Sequence, residues 1–260
     1  MQPAHRAASL GCLPYTNVMN VPGFFTALPK HRLPHPPVSV RVILTVHLAL
    51  IRAFELLRAN PPAEFILSTA GEDNITRQLH TILEDKLLVT GEVSGFDRRR
   101  IGRVVRAPEL TNFDGKHPAK KPDLVLFLMQ REHLPVQPSQ DAIFAECKPV
   151  DKAHPVGEDY CDKGISRFVT GDYAWAVQEG VMVAYARAGY TIIKDLAPVL
   201  AGTRHKALGS PTAPEVVSRS AVSHTAEALH STLHGRTFNW PGGRGKASQI
   251  RVFHSWHNCS

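Results

Sequence analysis

Two runs of almost unbroken apolar residues constrain this chain most: Asp123-Leu-Val-Leu-Phe-Leu-Met129 and Ala142-Ile-Phe-Ala-Glu-Cys-Lys148. Neither alternates apolar with polar, so a strand made from either has both faces covered. Such a sheet needs helices on each side, and the flanking sequence offers them. Residues 41–59 carry Val42, Val46, Leu50, Phe54 and Leu57 near the helical period, and Pro61-Pro62 stops that pattern. A second helix is expected over 69–86, with Ile75, Leu79, Ile82 and Leu83 inward and Thr69 with Glu72 as a capping box.

The remaining elements follow the same reading. Arg100–Arg106 alternates basic and apolar residues, as a half-exposed strand does. Helices are expected over 165–177, 191–200 and 221–233, strands over 181–185 and 250–256, and a loop at 210–214. This order predicts an α/β domain with a mixed central sheet flanked by helices. Residues 1–40 hold seven of the 20 prolines and little periodicity, so they read as an irregular Pro-rich N-terminal extension. Residues 41–260 then form a single domain.

Charge points to a partner. The formal net charge is +7, and it is clustered: residues 94–121 carry eight Lys/Arg against three Asp/Glu, and 199–260 seven against two. Clustered cations suit a phosphate backbone, although a basic soluble surface gives the same count. The four cysteines form no C-x-x-C pair, which suits a reducing cytoplasm. Neither a signal-peptide pattern nor an apolar run of bilayer length is evident, so no membrane association is expected.

The chemistry centres on Pro122-Asp123 and, 23 positions after Asp123, Glu146-Cys147-Lys148. Glu146 and Lys148 are two apart on a strand, so their side chains share a face while Cys147 takes the other. Pro149 is expected to end the ladder. A carboxylate and an ammonium so close to a core need compensation, and a divalent cation held by Asp123 and Glu146 supplies it. The plain alternative is a Glu–Lys pair at a strand end.

Pro-Asp…Glu-x-Lys resembles the motif of the PD-(D/E)XK nuclease superfamily. The likeness covers roughly residues 68–187, and the final strand is a possible addition. It implies a restriction-endonuclease-like fold and a DNA endonuclease dependent on Mg²⁺ or Mn²⁺, with RNA also open as substrate. Asp123 and Glu146 would hold the metal and Lys148 would serve the attacking water or the transition state. The superfamily's further acid, from the first core helix, falls on Glu72, which is three before Ile75 and seven before Leu79 and so shares the inward stripe, unlike Asp73 and Glu84; the capping box would otherwise engage it. Arg167, on the helix after the motif, would meet phosphate. Arg98, Arg99, Arg100, Lys120 and Lys121 are further nucleic-acid-binding candidates from the basic stretch. Tyr160, Gly164, Arg167, Gly171, Tyr173 and Tyr185 fall in a segment similar to nucleases of bacterial anti-phage defence loci. Because no specificity module is recognisable in the sequence, a protein partner that provides specificity is expected, with a homo-oligomer also open.

The alternative class is an inactive nucleic-acid-binding or adaptor subunit that keeps the fold. A transcription-type regulator lacks a helix-turn-helix to support it. Two other signals are weak. Gly242-Gly-Arg-Gly-Lys246 has Trp240 and Ala247 where a phosphate loop needs Gly and Ser/Thr. His254 and His257 are an odd number apart on a strand, which disfavours a shared zinc ion.

Overall fold

The computed structural model describes residues 33–129, 137–218 and 228–260. Its strands are β1 (Ile101–Arg106), β2 (Leu124–Leu128), β3 (Ala142–Val150), β4 (Glu179–Ala186), β5 (Glu215–Ser218), β6 (Leu229–His234) and β7 (Ile250–Asn258). They form one seven-stranded sheet in the order β1-β2-β3-β4-β7-β6-β5. The sheet is mixed. The central ladders β3–β4 and β4–β7 are parallel, and the outer ones are antiparallel.

Helices cover both faces, as the two apolar runs require. On one side lie α1 (Val40–Ala59), α2 (Glu72–Thr81) and α3 (Leu88–Thr90), the last two joined by a π-helical stretch, Ile82–Leu87. Their apolar stripes pack on Ile143, Ala145 and Cys147 of β3 and on Val181, Val183 and Tyr185 of β4. On the other side, π-helical Val156–Ile165 leads into α4 (Ser166–Thr170), and Ile192–Leu196 leads into α5 (Ala197–Ala201). These cover Phe144, Met182, Ala184, Val252 and Trp256. No helix among the described residues is long and apolar enough to cross a membrane.

Several expectations are corrected. The second helix starts at Glu72 with Gly71 as its cap and no side-chain capping bond, so the Thr69–Glu72 box does not form. It also runs further, to Thr90. The helix expected over 165–177 begins earlier, at Val156, and stops at Gly171, whose left-handed φ of 77° ends it. The helix expected over 221–233 is replaced, in its described part, by β6; residues 219–227 lie outside the described residues. β5 was not anticipated. Residues 1–32 of the extension are likewise outside, while 33–39 pack on the domain: Val38 N donates to Glu179 Oε2 at 3.0 Å.

A buried hydrogen-bond chain explains why 229–234 is a strand. Alternation along β6 places Thr232 and His234 on the face shared with His254 of β7, whose ladder partner is His230. His234 Nδ1 donates to the Leu208 carbonyl (2.7 Å), so its Nε2 accepts from the Thr232 hydroxyl (2.7 Å). Thr232 Oγ1 then accepts from His254 Nε2 (2.8 Å), and His254 Nδ1 accepts from Tyr160 OH (2.9 Å). That hydroxyl accepts from Trp256 Nε1 (2.9 Å). The carbonyl at one end and the indole at the other fix every proton, with both imidazoles neutral.

Burial pushes His234 down to about 4 and His254 well below its usual range. Unfolded, each protonates near about pH 6.5. Between that pH and 4 the unfolded chain therefore binds a proton at position 234 that the folded chain refuses, and stability falls as pH falls. We expect His234→Gln to be less stable than the wild type at pH 7.5. That gap should shrink by roughly 3 kcal/mol on going to pH 4. Denaturant unfolding of both proteins across this window checks it; a constant gap would mean that His234 is not buried neutral.

Candidate active site

The β2–β3 ladder ends early. Its last pair is Leu124–Ala145, whereas β3 continues beside β4 to Val150. The first β3 N–H beyond the ladder, on Cys147, is taken by the Asp123 carboxylate (Oδ2, 2.7 Å). Pro149, two residues on, has its nitrogen on that same side, where no ladder partner remains and a missing donor costs little. This corrects the expectation that Pro149 ends the ladder. Because β2 stops while β3 runs on, a notch opens at Asp123, Glu146 and Lys148.

Lys148 fills the centre of the notch. Its Nζ lies 2.7 Å from Glu72 Oε1, 3.0 Å from Glu146 Oε1 and 3.6 Å from Asp123 Oδ2. It also donates to the Cys147 carbonyl at 2.9 Å. Glu72 reaches in from the first turn of α2, on the stripe that the sequence assigned it, whereas Asp73 points to solvent and Glu84 pairs with Arg98. Glu146 is 2 % exposed. It accepts a short hydrogen bond from Tyr173 OH, and Arg167 Nε lies 3.4 Å away on α4. Cys147 points to the opposite face, into the α1–α2 core.

Three carboxylates therefore share two cations. Burial, then the neighbouring Asp123, raises Glu146 to about 7 against the pull of Lys148, Tyr173 and Arg167. Glu72 is raised by burial too, with Lys148 opposing. Burial alone would lower Lys148, but Glu146, Asp123 and Glu72 outweigh it and hold it well above its usual value. Lys148 gains what Glu146 loses: one ammonium serves three acids, and the most buried acid bears the cost.

Among the described residues no group of three or more His, Cys, Asp and Glu side chains is arranged to hold a metal ion. The Lys148 ammonium occupies the central place instead. By chemistry, Glu72, Asp123 and Glu146 offer only hard oxygen donors around a site short of positive charge, which suits Mg²⁺ or Mn²⁺.

The other candidate residues divide. Lys120 pairs with Asp172 (2.9 Å) beside Tyr173, and Lys121 with Glu109 (3.0 Å), both near Asp123. Arg98, Arg99 and Arg100 precede Ile101, which faces Leu128 at the far end of β2, so they lie a strand's length from the notch. Arg106, paired with Leu124 at the near end and 3.7 Å from Asp73, was missed. The signal was available: it is the last strand residue before the connection that returns to Asp123. The Tyr173 hydroxyl fixes Glu146. Tyr160 belongs to the His254 chain instead. His254 and His257 take opposite faces of β7, and Gly242–Lys246 forms a turn closed by Trp240 N to Gly245 O (2.8 Å). Comparison with protein families, curated proteins and solved structures finds no match to this chain.

Proposed function

We propose that this chain is a Mg²⁺- or Mn²⁺-dependent nuclease that hydrolyses phosphodiester bonds of DNA on a restriction-endonuclease-like fold. One observation carries the reading: Glu72, Asp123, Glu146 and Lys148 come from three separate parts of the chain and meet in a notch where β3 runs on beyond its ladder with β2. Glu72, Asp123 and Glu146 would supply the oxygen donors to a cation only with the Lys148 ammonium displaced from their centre, and the cation would lower the pKa of a water and neutralise charge on the phosphate. Lys148 then holds the attacking water or stabilises charge on the phosphoryl oxygens as the bond to the leaving oxygen breaks opposite. Tyr173 keeps the Glu146 carboxylate oriented, and Arg167 binds phosphate beside it.

The competing reading is a non-catalytic nucleic-acid-binding subunit. It draws on the Lys148 ammonium, which leaves the acids partnered without any metal. Metal removal separates the two readings. Cleavage of DNA is expected with Mg²⁺ or Mn²⁺ and none after chelation, with Mg²⁺ also raising the melting temperature. Undiminished cleavage in chelator, or none in any divalent cation, would sink the proposal.

A further inference from the structure

A cavity of about 580 Å³ lies between the β1–β2 connection at Thr111–Gly115, Trp175, and the turn at Asn239–Gly242. We propose that it receives an unstacked base of the nucleic-acid strand being cut, so that the substrate is single-stranded or has a base flipped out. This rests on the nuclease reading above and names its substrate class.

The walls are flat and held in place. The Phe113 ring stacks on Phe238 with centroids 4.5 Å apart. Trp175 is fixed by its Nε1–H to the Thr111 carbonyl, 3.1 Å. Behind it the buried Arg236 guanidinium donates to the Trp175 and Val177 carbonyls and lies over the Phe238 and Trp240 rings. Gly171 lets this wall close against α4, since a Cβ there would come within 2.7 Å of Phe238.

Polarity selects the occupant. Asp114 and Asn239 present a carboxylate and an amide to the cavity, and among the described residues no cation lines it. A phosphate would meet the Asp114 carboxylate unfavourably, since among the described residues the exposed Lys116 ammonium, 3.6 Å from it, is the one cation paired with it. A base edge offers N–H donors to it and a π-face to the rings. The volume falls within the range of roughly 300–1,000 Å³ that small ligands occupy.

The cavity also lies close to the notch along the chain. Tyr173, which bonds Glu146, is two residues from Trp175, a span of at most about 7 Å. Ala174 between them takes a positive φ of 53°, and the chain passes from one apolar cluster to another there, so Tyr173 serves the notch and Trp175 the cavity. A base seated here leaves its own phosphate near Glu146. A paired, stacked base does not reach it.

The test uses the whole chain in chelator, where cleavage plays no part. Three labelled DNAs of equal length are compared: a single strand, its duplex, and a strand of abasic units. We expect the single strand to bind about tenfold more tightly than the abasic strand, as base stacking on aromatic rings gives. Asn239→Trp fills the cavity from an exposed position and should bring the single strand down to the abasic level without changing duplex binding. Asp114→Ala, also exposed, should weaken single-strand binding several-fold and covers the case in which the larger substitution misfolds. Equal wild-type affinity for single and abasic strands, or two folded variants that bind as wild type, would overturn the inference. Discrimination without cleavage in any divalent cation would instead remove the nuclease reading and leave the cavity as a base-binding site.

Discussion

Replacing Lys148 by Ala should lower cleavage per folded molecule by about 10²–10³-fold, the cost of removing a group aimed at transition-state charge. It should also destabilise the protein. Lys148 is 8 % exposed and contacts three carboxylates within 3.6 Å. Taking one member from a buried ionic cluster leaves the others uncompensated, typically at about 3–5 kcal/mol. A strand-end pair on the surface would cost far less, so the structure changes what this variant tests. Loss of stability follows from either reading of the site, and the decision lies with turnover per folded molecule, measured beside denaturant unfolding. A Lys148→Ala protein that cuts normally, corrected for folded fraction, would show that the notch is not the catalytic site.

Glu146→Gln should have the opposite pairing of effects: inactive, yet more stable. Glu146 is held at about 7, against 4.5 for an ordinary glutamate, by burial and by Asp123. A raised carboxyl pKa in the folded state means that the folded protein keeps a proton which the unfolded chain releases. Stability is therefore lost as pH rises from 4.5 through 7, and the loss is complete above 7. Gln keeps an oxygen for Tyr173 and Lys148 but carries no charge. In chelator it should gain about 1–3 kcal/mol at pH 8, shrinking to under about 1 kcal/mol at pH 5. A gain that appears while activity disappears marks a group retained for chemistry at the expense of stability. If Glu146→Gln loses stability equally at both pH values, Glu146 is a net structural partner and the acid-rich notch is a packing device.

These two side chains also show what kind of information the sequence carried. The apolar runs around them required strands covered on both faces, and β2 and β3 are such strands. The strand period put Glu146 and Lys148 on one face and Cys147 on the other. The helical period turned Glu72 inward. Each of these is a short-range rule linking residue spacing to direction, so it survives without knowledge of the fold. The same rules failed where a distant partner decided the outcome. Residues 229–233 look helical alone, but Thr232, His234 and His254 satisfy one another only across two paired strands. The capping box at Thr69 lost to Lys148, because Glu72 finds a buried ammonium 76 positions away.

By itself, then, the sequence determined the α/β class, the mixed sheet, and three charged positions on or beside buried strands; it put Glu146 and Lys148 at a strand end, whereas β3 runs on to Val150. It did so through periodicity and the cost of burying charge, which act within a few residues. Only the tertiary structure decided that β2 stops at Asp123 while β3 runs on, which opens the notch. Only it placed Tyr173 and Arg167 on Glu146, set Arg98–Arg100 at the far end of β2, and left a cavity beside Trp175. Those outcomes depend on strand register and on which distant groups satisfy each other's hydrogen bonds and charges, and neither is written in the spacing of neighbouring residues.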